Sequence, residues 1–112
     1  MQREARKAAV AAYKERKAVC GVYAVRCDAT GATWVGHWPD VDTIKTRLWF
    51  TLRQGTHPNR GLLDAWRAHG EAAFRFEVLE RIDDEDMSPY VRAATLKERG
   101  AHWRDRIGAL AL

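Results

Sequence analysis

The chain is poor in the residues that several common chemistries need. Ser88 is its only serine, and in Ser88-Pro89 it reads as a helix cap followed by proline at the first helical position, so a serine nucleophile has no support. Cys20 and Cys27 are the only cysteines. On one β-prone run their side chains fall on opposite faces, because a strand alternates with period two, which predicts free thiols rather than a disulfide. The same opposition, and the lack of a short Cys spacing, argue against a zinc site built with His37 and His57. There is no Pro- or Ser-rich tract to act as a linker, and no apolar run near the ~18 residues of a membrane span. The first residues mix charges with alanines and hold no apolar stretch ahead of a cleavage site, so no secretory signal is expected and the location expected is cytoplasmic.

What is present suits one small domain. The chain has 112 residues, 46% of them hydrophobic and 30% charged, within the range where a single core forms. The net charge of +4 is unevenly placed. Residues 1–17 hold Arg3, Arg6, Lys7, Lys14, Arg16 and Lys17 against Glu4 and Glu15, and residues 43–76 hold Lys45, Arg47, Arg53, Arg60, Arg67 and Arg75 against Asp64 and Glu71. Such segregation suits an anionic partner, nucleic acid first; for the N-terminal arm a solvated basic helix is the competing explanation. DNA is expected before RNA, and no membrane partner is expected.

Periodicity gives an order of elements. Ala5, Ala8, Ala9, Ala12 and Tyr13 recur at helical spacing over residues 2–17, so residues 1–18 read as a basic helical arm and 19–112 as the domain proper. Cys20–Arg26 and Thr33–His37 are β-prone runs joined by a turn with Asp28 and Gly31, which predicts a hairpin. Pro39-Asp40 opens a helix of about a dozen residues with Asp40 or Asp42 as N-cap, and a second helix follows over Arg60–His69, ended by Gly70. "AFRFEVLERI" alternates Phe74, Phe76 and Val78 with Arg75 and Glu77, predicting a third strand. A last helix runs from Ser88 to about Ile107, with Val91, Ala94, Thr95, Trp103 and Ile107 expected toward the core. The fold class is α+β: a small three-stranded antiparallel sheet with flanking helices.

Within "GVYAVRCDATGATWVGHW", Gly21-Val22-Tyr23 and Trp34-Val35-Gly36 resemble the paired motif of the GIY-YIG nuclease superfamily, and residues 20–107 follow that family's order of elements. The resemblance implies a nuclease domain that binds nucleic acid and hydrolyses phosphodiester bonds with Mg²⁺ or Mn²⁺. Tyr23 then takes part in the proton relay, Arg47 in "TRLWF" binds the scissile phosphate, and His57 in "GTHPN" assists proton transfer. Lys45 and Arg53 are alternatives to Arg47, whose spacing from Gly36 is about one helical turn longer than the pattern. Trp34, Lys45, Arg53 and Arg60 are the expected nucleic-acid contacts.

The chain also departs from that pattern. Trp34 replaces the second-motif Tyr, so an indole that only donates stands where a phenol is usual. The family's metal-binding Glu falls on Gly100, three residues before Trp103, which leaves Glu98 as the nearest carboxylate and the expected metal ligand. Two residues along a helix are about 200° of rotation, which turns Glu98 away from that position. Three functions stay open: a nuclease, a nucleic-acid-binding module without catalysis, and a regulatory protein-interaction domain on the same fold.

Overall fold

The computed structural model describes residues 19–112, so the predicted N-terminal arm lies outside the described residues. Its centre is strand β1 (Cys20–Cys27), paired antiparallel with β2 (Thr33–Trp38) on one side and β3 (Phe74–Ile82) on the other. A short β4 (Leu110–Ala111) adds to the outer edge of β2, in parallel, giving the order β3-β1-β2-β4. The sheet therefore has four strands rather than three and is mixed rather than wholly antiparallel. Apolar Leu110, Ala111 and Leu112 run along an edge that β2 would otherwise leave open, and the Leu112 N–H donates to the Val35 carbonyl.

Both faces of β1 are covered, and strand alternation divides them. Tyr23, Val25 and Cys27 join Trp34 on the face packed by α1 (Ile44–Gln54) and α2 (Arg60–His69). Cys20, Val22, Ala24 and Val35 lie on the other face, beneath Leu96, Trp103 and Ile107 of α3 (Pro89–Ile107). The two cysteines are thus buried on opposite faces, as the alternation predicts. An aromatic cluster fills the α1/α2 side: Trp49 meets Trp66 edge-on at 5.5 Å, and Trp66 lies 5.3 Å from Phe74. No helix among the described residues is long and apolar enough to cross a membrane.

Strand β3 changes face partway along. Val22 pairs with Glu80 while Tyr23 pairs with Val78, so Leu79 is an extra residue, a β-bulge. Before the bulge Phe74, Phe76 and Val78 face α1 and α2; after it Ile82 packs with the α3 cluster. Glu80 likewise receives the Trp103 indole N–H and Arg99 Nε of α3, each at 2.8 Å. Burial pushes the Glu80 carboxyl up, but these donors outweigh it and leave its pKa below the ordinary value.

Two helix expectations are corrected. Helix α1 starts at Ile44 with Thr43 at the N-cap, not at Asp40 or Asp42, and no side chain caps its first turn. The Asp42 carboxylate is instead held by Arg81 at 2.8 Å, and the Asp40 carbonyl accepts from Thr43. On α3, Ser88 caps and Pro89 leads as predicted, but Val91 is 45% exposed and Ala94 is exposed, while Leu96 and Gly100 are buried.

Candidate functional site

Beyond Val35 no strand pairs with the outer edge of β2 among the described residues, and Gly36, His37 and Trp38 line a cleft of about 300 Å³. Tyr23 reaches it from β1, Arg47 from the first turn of α1, and His57 from the loop between α1 and α2. The three residues assigned to the relay and the phosphate contact therefore share one concave surface.

Each is held there by local chemistry. The Tyr23 ring stacks on Phe76 at 5.4 Å and crosses Gly36, where a Cβ would stand 2.6 Å from the hydroxyl. Glycine at this position is what lets the phenol lie across β2. The Arg47 guanidinium sits over the Trp38 ring at 5.1 Å, which fixes its plane while its donors stay exposed. Helix α1 has no acid in its first turn, so the positive end of its dipole is not neutralised beside the cleft. His57 Nδ1 accepts the Asn59 N–H at 3.0 Å, which leaves the proton of the neutral imidazole on Nε2. Asn59 itself caps α2 through Leu62 N–H and donates to the Ala111 carbonyl, tying this loop to β4.

The electrostatics make the cleft a set of donors. Burial pushes the Tyr23 phenol up to about 12, so at neutral pH it keeps its proton. Burial lowers both His57 and His37, and Arg104 lowers His37 further, which favours the neutral form of both rings. Because the Tyr23 pKa is raised from 10.0, the unfolded chain ionises first and stability falls as pH rises from 10 to 12. Two pKa steps amount to about 3 kcal/mol. Denaturant unfolding across this range is expected to show the fall in the wild type, and Tyr23→Phe to remove most of it.

The remaining predicted residues lie elsewhere. Trp34, 4% exposed, is packed in the core against Phe74 and Val25 rather than presented to a ligand. Lys45 rides over Trp49 and Arg53 pairs with Glu71 at 2.6 Å, both beside a separate depression on α1. Arg60 is exposed at the start of α2. Glu98 is exposed on α3 and does not line the cleft; the residue facing β2 is Gly100, where a Cβ would lie 3.2 Å from His37 Cδ2. His37, treated in the sequence only as a rejected zinc ligand, is thus a cleft residue; its place directly after Gly36 was the available signal.

The donor set decides how well Mg²⁺ or Mn²⁺ fits. Such ions are held through carboxylates, and among the described residues none that lines the cleft is an Asp or Glu. Among the described residues no three of His, Cys, Asp and Glu gather as a ligand group. The described residues that line the cleft do not fit a magnesium or manganese ion.

No protein-family model matches the chain, and no curated protein does. Solved structures are similar to it. The catalytic domain of the homing endonuclease I-TevI is 20% identical over 83% of this chain and 97% of that one, with a TM-score of 0.67. A point mutant of the catalytic domain of intron endonuclease I-TevI is 22% identical over 80% of this chain and 84% of that one, with a TM-score of 0.66. With its motif pair on β1 and β2 and this likeness across most of its length, the chain has the GIY-YIG fold, that of a nuclease catalytic domain.

Proposed function

We propose that this nuclease-like domain binds a nucleic-acid strand by seating a backbone phosphate in the cleft between Arg47, His57 and Tyr23, without a divalent metal. The observation that carries this is the composition of the cleft: a guanidinium, a phenol that keeps its proton, imidazole N–H donors and, among the described residues, no Asp or Glu side chain. A phosphodiester is the anion that the fold's nuclease relatives favour as occupant, and planar guanidinium donors match its oxygens. The likeness to a homing endonuclease favours DNA over RNA.

Hydrolysis is the less supported function. A phenol raised to about 12 and a histidine whose Nδ1 is occupied and whose Nε2 bears the proton are poor bases as placed. Among the described residues, none that lines the cleft is an Asp or Glu able to bring a metal's charge to the leaving oxygen.

Fluorescence anisotropy with labelled duplex DNA, single-stranded DNA and RNA tests the proposal. Binding is expected at low salt, with a steep decline as salt rises, about −0.9 in the log–log slope per phosphate contacted on duplex DNA. EDTA is expected to leave affinity unchanged, and Mg²⁺ or Mn²⁺ to produce no plasmid nicking above the Arg47→Ala level. Absence of binding at low salt refutes the proposal, and nicking that needs Tyr23, Arg47 and an added metal restores the enzyme.

A further inference from the structure

Arg104 of α3 lies near His37, a residue of the cleft, with no ion-pair partner among the described residues. Its Nη1 lies 3.6 Å, and His37 Cδ2 3.2 Å, from the point where a Cβ of residue 100 would stand. A Cβ at residue 100 would crowd the histidine and touch the guanidinium, so Gly100 leaves room there for both.

Several other arginines around the sheet are occupied. Arg75 holds Asp28, Arg81 holds Asp42, and on α3 itself Arg92 holds Asp84 while Arg99 holds Glu80. Arg106 stacks over Trp103. Among the described residues Arg104 has neither an ion-pair partner nor a ring beneath it, although it is half-buried. A cation removed in part from water with no compensating charge costs free energy, which a bound anion offsets.

Helices α1 and α3 pack on opposite faces of the sheet, so Arg47 and Arg104 approach the open edge of β2 from its two sides, with His37 on that edge. We propose that Arg104 is a second backbone-phosphate contact, and that one nucleic-acid strand crosses the Gly36–Trp38 edge with Arg47 on one phosphate and Arg104 on another. The field of Arg104 already reaches His37, whose pKa it depresses after burial. This assignment rests on the phosphate-binding role of the cleft.

The test compares salt titrations of the full chain and its Arg104→Ala, Arg104→Lys, Arg106→Ala and Arg47→Ala variants on one labelled oligonucleotide, with folding checked by circular dichroism. Arg104→Ala is expected to weaken binding about tenfold at low salt and to lower the log–log slope by about 0.9 on duplex DNA or 0.7 on a single strand. Arg104→Lys restores the slope, and Arg106→Ala leaves both quantities unchanged. In the free protein the His37 NMR titration moves upward in Arg104→Ala, which a guanidinium lying elsewhere does not produce. Wild-type affinity and slope in Arg104→Ala, with Arg47→Ala weakened, overturn this inference and leave the cleft's role standing. Unchanged binding in both variants overturns the two together.

Discussion

Arg47→Ala is expected to weaken nucleic-acid binding by about 2 kcal/mol, roughly thirtyfold, while leaving the unfolding midpoint close to that of the wild type. Both halves follow from where the residue sits. Its side chain is exposed and touches the fold mainly by lying over Trp38 at 5.1 Å, so truncation removes little packing. In the cleft it is a fork of donors held flat by that ring, and charge-assisted bonds to a phosphate are stronger than neutral ones. Arg47→Lys is expected to recover only part of the loss, since an ammonium keeps the charge but neither the fork nor the stacking. Equal affinity for wild type and Arg47→Ala across a salt titration places the phosphate elsewhere.

Gly21→Ala is expected to destabilise the domain by about 3–4 kcal/mol, read as a lower denaturant midpoint at constant slope. A Cβ at Gly21 collides with the Glu80 carbonyl oxygen of β3 and stands 3.2 Å from Val41 Cγ1. The obstacle is the backbone of β3 where it pairs with β1, next to the bulge at Leu79, so no rotamer change relieves it. Gly36→Ala provides the contrast. Its new Cβ meets the far end of the Tyr23 side chain at 2.6 Å, and a ring moves where a strand does not. The expected cost there is smaller, about 1–3 kcal/mol, with the phenol displaced from the cleft. A Gly36→Ala midpoint lower than that of Gly21→Ala contradicts this ordering. The two glycines that flank Tyr23 and Trp34 in the sequence are thus explained separately: one admits a neighbouring strand, the other a phenol.

What the sequence reveals follows from how local each signal is. Alternation placed Cys20 and Cys27 on opposite faces, and the capping chemistry of Ser88-Pro89 and Gly70 marks helix ends that the structure shares. Non-local effects were hidden. The bulge at Leu79 turns Glu80 toward α3, and nothing in "FEVLE" separates a regular strand from a bulged one. Strand β4 forms because "ALAL" meets an open edge of β2, a property of the partner and not of the segment. Asp42 looks like a cap in sequence and is drawn off by Arg81, 39 residues away. At the cleft, motif spacing indicates Tyr23 and Gly36, while the pairing of Gly100 with His37 and Arg104 needs the packing of α3 on β2.

The central claim is that a nucleic-acid phosphate occupies the cleft formed by β1, the open edge of β2, α1 and the His57 loop. The most direct measurement is heteronuclear NMR mapping of the chain titrated with a short oligonucleotide in the presence of EDTA, following backbone amides together with the Arg47 side-chain Nε–H and the His37 and His57 rings. The account predicts that the largest saturable shifts fall at Gly36–Trp38, Arg47 and His57, with the depression around Lys45 and Arg53 changing little. Shifts centred on Lys45, Arg53 and Arg60, with Arg47 and His57 unmoved, contradict it.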